Sequence, residues 1–124
     1  MCSAGSRLIV EEPVRDAVLE KIVAAGLRMP PGDPLDPATR LGAIVDDVQM
    51  RTVLSYIDSG REEGAQLLAG GRQVRQETGG CYVEPTVFDG VRPEMTIARE
   101  EIFGPVLAAI TVRDAGEAVR VGNS

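Results

Sequence analysis

One acid–aromatic–glycine–proline segment, followed by a long apolar run, limits what this chain can fold into more than any other feature. Residues 95–112 read MTIAREEIFGPVLAAITV. The aliphatic run at 106–112 predicts a buried strand. Pro105 has no N–H, so it suits the first residue of a strand, and Gly104 can take backbone angles that other residues avoid. The segment therefore predicts a loop that enters a core strand, either as a plain tight turn or as a ligand-binding loop whose carboxylate accepts hydrogen bonds from two hydroxyls.

Charge and composition exclude several classes of function. The net charge is −6 and Lys and Arg form no cluster, so neither a nucleic acid nor an anionic membrane is expected as a partner. There is no histidine, which removes the commonest general base and metal ligand. Cys2 and Cys81 lie in no C-x-x-C spacing, so neither a zinc site nor a disulfide is expected, and Cys81 is interpreted as structural. The absence of a signal peptide and of an apolar run of roughly 20 residues predicts a cytoplasmic protein.

Two amphipathic helices are predicted in the first half of the chain. After Pro13, residues 14–28 carry apolar side chains at helical spacing on one face. The residues of that face are Val14, Val18, Ile22 and Ala25. Asp46, with Gln49 three residues later, predicts a capping box that opens the second helix. The core-facing stripe of this second helix consists of Met50, Val53, Leu54 and Ile57.

Short extended segments accompany these helices. The predicted strands are residues 7–10, 66–69, 82–83, 86–88 and 106–112. Residues 29–44 are predicted to be a surface loop, residues 72–80 an exposed turn, and a third helix is predicted from Glu117. Strands that alternate with helices predict an α/β fold, in which helices flank a largely parallel sheet.

Four aspartates in or just after the predicted loop are candidates for a metal site. They are Asp33, Asp36, Asp46 and Asp47. Turn and helix-cap roles explain them more simply, because Asp side chains accept hydrogen bonds from backbone N–H groups two or three residues further on. The spacing of a calcium-binding loop is also missing. The sequence therefore predicts no bound metal.

Four stretches of the chain together resemble one protein family. They are residues 2–8 (CSAGSRL), 32–36 (GDPLD), 80–87 (GCYVEPTV) and 95–106 (MTIAREEIFGPV). In this order and at these separations they resemble the catalytic domain of the aldehyde dehydrogenase superfamily. The resemblance implies that residues 1–124 are an internal fragment of that α/β domain, truncated at both ends and without the nucleotide-binding domain.

The resemblance assigns the catalytic role to Cys2. In this family the corresponding thiolate attacks an aldehyde, hydride passes to NAD or NADP, and the resulting thioester is hydrolysed to a carboxylic acid. The thiolate rather than the thiol is the nucleophile, and the backbone N–H at Cys2 would help to hold the oxyanion. Judged from the residues alone, Cys2 is interpreted as an incidental cysteine near a chain terminus.

The resemblance places the cofactor contacts at Glu101 and Phe103. Glu101 corresponds to the carboxylate that binds the hydroxyls of the nicotinamide ribose through short, directional, charge-assisted hydrogen bonds. Phe103 corresponds to an apolar contact with the same ribose. The residues themselves leave alternatives open: Glu101 as a solvated or capping carboxylate, with Glu100 as the surface partner, and Phe103 as a buried core residue.

The activity that the resemblance implies is NAD(P)-dependent oxidation of a small aldehyde, with a homo-oligomer expected for the full-length parent. Residues 2–7 and 34–39 look most like bacterial members that act on amino- or γ-glutamylamino-aldehydes. The family's cofactor-binding lysine, deacylating glutamate and oxyanion asparagine have no counterpart in residues 1–124, so the chain alone is expected to be inactive. Two alternatives remain open. One is an interaction or oligomerisation module that acts through exposed strand edges; the other is thioester chemistry at Cys2 without NAD.

Overall fold

A computed structural model describes residues 4–124. Its strands are β1 (Arg7–Glu11), β2 (Gln66–Ala69), β3 (Gln73–Val74), β4 (Tyr82–Val83), β5 (Thr86–Asp89) and β6 (Val106–Val112). Its α-helices are α1 (Arg15–Leu27), α2 (Asp47–Glu62), α3 (Thr96–Arg99) and α4 (Ala115–Gly122). Short 3-10 turns lie at Glu12–Val14 and Gln76–Thr78. The predicted strands and the two long helices are therefore confirmed, with small differences at their ends.

The main sheet has four strands in the order β1-β6-β5-β2. Strand β6 runs parallel to both of its neighbours, β1 and β5, whereas β2 is antiparallel to β5. Strands β3 and β4 form a separate antiparallel pair. The predicted α/β fold with a largely parallel sheet is confirmed. The apolar run of residues 106–112 forms β6, a central strand of that sheet.

Side chains alternate between the two faces of the sheet, and each face is covered by helices. On one face, Phe88 and Ala108 belong to the larger hydrophobic core, to which α2 and α3 also contribute. On the other face, Val87 and Ala109 pack with Leu19 of α1. Because both faces are buried, β6 is apolar at nearly every position instead of alternating with polar residues.

The predicted apolar face of the first helix was correct at Ile22 but wrong at Val14, and it omitted Leu19 and Val23. Pro13 lies in a 3-10 turn, and the α-helix begins only at Arg15. Val14 therefore precedes the helix and is 52% exposed, whereas Leu19 is buried, with Ile22 and Val23 packed against the same cluster. These three residues follow the spacing i, i+3, i+4, so the helical pattern is correct but its face is rotated.

A buried ion pair joins α1 to the end of β5. Arg15, the first residue of α1, donates from Nε to Oδ1 of Asp89 at 3.2 Å and also donates from Nη2 to Oδ2. The Asp89 side chain is only 2% exposed, while that of Arg15 is 32% exposed. The hydrogen bond and the charge of Asp89 raise the pKa of Arg15. The Asp89 carboxylate is therefore a charged group buried at the point where α1 meets the sheet.

Two other predictions need correction. The predicted exposed turn at residues 72–80 contains β3, which pairs with β4, and the guanidinium of Arg75 lies 5.2 Å from the centroid of the Tyr82 ring. The third predicted helix begins at Ala115 rather than at Glu117, because Asp114 caps it by accepting a hydrogen bond from the Glu117 N–H at 2.8 Å.

Candidate active site

A cleft of about 640 Å³ opens at the edge of the sheet where β1 and β6 begin. It is lined by residues 4–6, 41–45, 101 and 103–105, together with Gln49 and Val83. Because β1 and β6 are parallel, the segments that enter these two strands lie side by side at one edge. The N–H of Ala108 in β6 donates to the carbonyl of Ser6 at 2.9 Å and fixes this arrangement.

The two adjacent glutamates at this edge have different surroundings. Glu100 accepts a hydrogen bond from the Tyr56 hydroxyl at 2.7 Å, and this bond raises the pKa of the tyrosine. Glu101 is exposed and lines the cleft. Within residues 4–124, the Glu101 carboxylate accepts no hydrogen bond and forms no ion pair, so its oxygens are available to a ligand. Glu100 therefore has a bonding partner in α2, whereas Glu101 has none among the described residues.

Phe103 is held outward by an uncommon backbone conformation. Its φ is 54°, in the left-handed region, and its side chain is 52% exposed and lines the cleft. The alternative that Phe103 is a buried core residue is therefore wrong. Left-handed backbone at a residue other than glycine costs of order 1–3 kcal/mol and concentrates at functional sites. Phe103 is consequently presented to the cleft at an energetic cost.

Gln49 stabilises the loop that carries Phe103, a role that its place in the sequence did not indicate. The side-chain amide of Gln49 donates to the carbonyl of Ile102 at 3.1 Å and to that of Phe103 at 3.4 Å. Only half of the predicted capping box is present: Asp46 accepts from the Gln49 N–H at 2.8 Å, but the Gln49 side chain points to the loop instead of back to the cap. Glutamine is suited to both roles, so nothing in the sequence distinguished the contact with the loop from the cap.

Gly104 is required for a reason other than the one predicted. The positive φ lies at Phe103, and Gly104 itself has none. A Cβ on Gly104 would lie 2.5 Å from Cγ2 of Val53, which is fully buried in α2. Gly104 therefore allows the loop to approach the helix closely.

Cys2, the predicted nucleophile, lies outside the described residues, which begin at residue 4. The nearest described residues of the same motif, 4–6, line the cleft together with Glu101 and Phe103. Cys81 is half-buried, packs against the larger core, and its carbonyl accepts from the Ile44 N–H at 2.7 Å. These contacts agree with the structural role predicted for Cys81.

Three of the four candidate aspartates act as turn or cap residues, and Asp47 instead pairs with Arg51. Asp33 accepts from the Leu35 N–H and Asp36 from the Ala38 N–H, each at 2.9 Å. Among the described residues, no group of three or more His, Cys, Asp or Glu side chains could hold a metal ion. None of the helices described here combines the length and the apolar character needed to cross a bilayer.

The cleft has the volume and the side chains to hold a small molecule that carries neighbouring hydroxyl groups. The available oxygens of Glu101 can accept hydrogen bonds from two neighbouring hydroxyls, and the exposed Phe103 ring offers an apolar surface beside them. A volume of about 640 Å³ lies within the range of about 300–1,000 Å³ that is usual for small-molecule sites.

Glu63 anchors the start of the segment of residues 96–103. Because this contact needs the ionised carboxylate, we expect the stability of the chain to depend on pH. The hydroxyl of Thr96 donates to Oε1 of Glu63 and the Thr96 N–H donates to Oε2 at 2.7 Å, which together lower the pKa of Glu63 below its ordinary value of 4.5. Because the folded pKa is the lower one, this stabilisation is present above the unfolded pKa and is lost as the pH falls through the folded pKa.

We expect the Glu63→Gln variant to lose less stability than the original chain when the pH falls from about 5 to about 3. Urea unfolding at several pH values measures this difference. Glu62→Gln is the matched control, because Glu62 is exposed and makes no hydrogen bond or ion pair in the described part of the chain. Parallel acid profiles for Glu63→Gln and Glu62→Gln would contradict the prediction.

Comparisons with known proteins place this chain in a family. Residues 1–124 match the sequence profile described as "Aldehyde dehydrogenase family". The chain is 44% identical over 125 residues to a betaine aldehyde dehydrogenase of Sinorhizobium fredii, and the match covers 100% of this chain and 26% of that protein. The chain thus spans about a quarter of the length of the curated relatives that it matches.

Solved structures agree with this assignment. A mutant of the indole-3-acetaldehyde dehydrogenase AldA of P. syringae, in complex with NAD+ and IAA, matches with a TM-score of 0.98 and 55% identity over 100% of this chain and 25% of that chain. A γ-glutamyl-γ-aminobutyraldehyde dehydrogenase from Burkholderia cenocepacia matches with a TM-score of 0.96 and 55% identity over the same shares. The resemblance noted in the sequence is confirmed: this chain belongs to the aldehyde dehydrogenase family.

Proposed function

We propose that this chain supplies the nucleophile and the ribose-binding side of the active site of an NAD(P)-dependent aldehyde dehydrogenase. The observation that carries this proposal is the meeting of two distant motifs in one cleft: residues 4–6, which follow Cys2, and the pair formed by Glu101 and Phe103. The two motifs are about a hundred positions apart in the sequence and are brought together by the parallel pairing of β1 with β6.

The proposed chemistry begins at Cys2. Its thiolate forms a bond to the carbonyl carbon of an aldehyde, and the negative charge that develops on the oxygen is stabilised by the backbone N–H at Cys2. The bound nicotinamide supplies an acceptor for the hydride that leaves this carbon. Water then breaks the carbon–sulfur bond of the thioester, which releases a carboxylic acid and restores the thiol.

In this proposal Glu101 and Phe103 orient the hydride acceptor without taking part in bond making. Glu101 would accept hydrogen bonds from the two ribose hydroxyls, and Phe103 would pack against the same sugar. Their alignment matters because hydride transfer requires reacting atoms about 3–3.5 Å apart. The P. syringae AldA structure contains NAD+, which supports the same cofactor class for this chain.

The substrate class is proposed more narrowly as an aldehyde that carries an amino or γ-glutamylamino group. The motifs at residues 2–7 and 34–39 favour this class, and the γ-glutamyl-γ-aminobutyraldehyde dehydrogenase of Burkholderia cenocepacia is 55% identical to the chain. A second relative, the betaine aldehyde dehydrogenase of Sinorhizobium fredii, is 44% identical to the chain.

The test uses the complete protein to which this chain contributes. We expect Glu101→Gln to weaken NAD+ binding roughly tenfold, because a charge-assisted hydrogen bond is replaced by a weaker neutral one. Calorimetric titration with NAD+ measures this loss. Glu77→Gln, which alters an exposed glutamate in the 3-10 turn at Gln76–Thr78, is the control and should leave the affinity unchanged.

Alkylation tests the role of Cys2 in the same protein. Iodoacetamide at neutral pH should label Cys2 faster than it labels a free peptide thiol, and NADH production from an aldehyde should fall in proportion to the labelling. Labelling of Cys2 at the rate of a free thiol, or full activity after complete labelling, would overturn the proposed nucleophile.

A further inference from the structure

Three polar residues of α2 lie on one line along the helix and all contact the segment of residues 96–103. They are Gln49, Tyr56 and Glu63, the last being the C-cap of α2. Their spacing of seven residues is close to two helical turns, so their side chains point to the same side. We call these three residues the polar stripe of α2.

Each residue of the polar stripe bonds to a different point of the segment. The Gln49 amide donates to the carbonyls of Ile102 and Phe103. The Tyr56 hydroxyl donates to the Glu100 carboxylate at 2.7 Å. At the far end, the Glu63 carboxylate accepts from both the N–H and the hydroxyl of Thr96. The helix and the segment therefore run in opposite directions and are joined at the start, middle and end of the segment.

An apolar stripe beside these polar residues anchors the same segment. The buried side chains of α2, among them Val53 and Ile57, belong to one core cluster with Ile97 and Ile102 of the segment. Packing holds the segment against the helix but does not select which of two adjacent glutamates faces the cleft. The polar contacts supply that selection, because Tyr56 binds Glu100, while Glu101 has no bonding partner within residues 4–124.

We propose that the polar stripe of α2 positions the cofactor-binding loop, and that Tyr56 acts as a positioning residue by retaining Glu100 so that Glu101 faces the cleft. This inference rests on the proposed function for its catalytic consequence. Tyr56 is not among the residues that line the cleft, and it acts through Glu100. Without the Tyr56 hydroxyl, Glu100 is released and the backbone between Arg99 and Ile102 gains freedom to rotate, so that Glu101 is no longer held in one orientation.

The experiment compares Tyr56→Phe with Ser55→Ala in the complete protein. In the part of the chain that the structure describes, the Ser55 hydroxyl bonds only to the Thr52 carbonyl of its own helix, so its loss removes a hydroxyl without touching the loop. We expect Tyr56→Phe to weaken NAD+ binding about three- to tenfold and to raise KM for NAD+ more than it changes KM for the aldehyde. Ser55→Ala should change neither. Equal effects of the two variants would overturn the proposal.

A double-mutant cycle with Glu101→Gln tests whether Tyr56 acts through Glu101. If it does, Tyr56→Phe should have little further effect on NAD+ affinity once Glu101 is replaced, because the two changes remove the same interaction. Independent, additive losses would overturn the positioning role.

Hydrogen exchange separates this inference from the proposed function. The amides of residues 96–103 should exchange several-fold faster in Tyr56→Phe than in Ser55→Ala, whether or not NAD+ binds. If exchange is faster but the protein binds neither NAD+ nor NADP+, the polar stripe still supports the segment and the proposed function is refuted. Unchanged exchange would refute the polar stripe itself.

Discussion

Replacing Gly70 with alanine is expected to lower the free energy of unfolding by about 2–5 kcal/mol. Gly70 has a φ of +72°, and a Cβ there would lie 2.1 Å from the carbonyl oxygen of Pro85 and 2.8 Å from its carbonyl carbon. Both contacts are with the backbone, so no side-chain rotation relieves them. The next amide, that of Gly71, donates to the buried Thr86 hydroxyl at 2.9 Å, and moving the turn would also break this bond.

Gly64→Ala is the matched control for this prediction. Gly64 also has a positive φ, +93°, but apart from its chain neighbours no described residue would lie within 4 Å of a Cβ at this position. Its replacement should therefore cost only the conformational term, roughly 1–2 kcal/mol. Urea unfolding of the two variants measures the difference between them. Similar losses for Gly70→Ala and Gly64→Ala would show that the close contact with Pro85 does not limit this turn.

The parts of the fold that could be predicted from the sequence are those determined by local pattern. The bounds of β2 and β6 were predicted to the residue, because each is a short apolar run ended by glycine or charged residues. In α2, the core positions Met50, Val53 and Ile57 and the cap at Asp46 were also correct. Such features depend on residues three or four apart, which a sequence displays directly.

The features that could not be predicted depend on partners far away in the chain. The face of α1 is set in part by the pairing of Arg15 with Asp89, which lies 74 positions away. Strand β3 is only two residues long and is recognisable only by its pairing with β4. The four-residue helix α3 is likewise too short to show a period of its own.

The candidate site divides in the same way. Glu101 and Phe103 became candidates because their motif resembles a known family, and the structure brings both to one cleft with residues 4–6. Gln49 and Tyr56 were not assigned to the loop, because their partners lie 53 and 44 positions away and neither residue type marks such a contact. The left-handed conformation of Phe103 also had no sequence signal, since a neighbouring glycine offered a simpler site for it.

Replacing Arg15 with methionine is expected to lower the free energy of unfolding by about 3–5 kcal/mol. The Asp89 carboxylate is almost completely buried, and it would lose the two hydrogen bonds and the positive charge that compensate its removal from water. The opposite change, Asp89→Asn, should cost less, about 1–2 kcal/mol. It leaves Arg15 one-third exposed and able to reach water, and the amide oxygen still accepts one hydrogen bond.

Two further variants determine whether the buried charge is the cause. Arg51→Met removes an arginine whose ion pair with Asp47 is exposed on both sides, with side-chain exposures of 77% and 53%; it should cost less than about 1 kcal/mol. The double variant Arg15→Met with Asp89→Asn should recover part of the stability that Arg15→Met alone loses, because no charge then remains buried without a partner. Denaturant unfolding of the four variants measures these differences. If the double variant is as unstable as the sum of the two single changes, the loss arises from packing around the Arg15 side chain, and the burial of an unpaired carboxylate is not its cause.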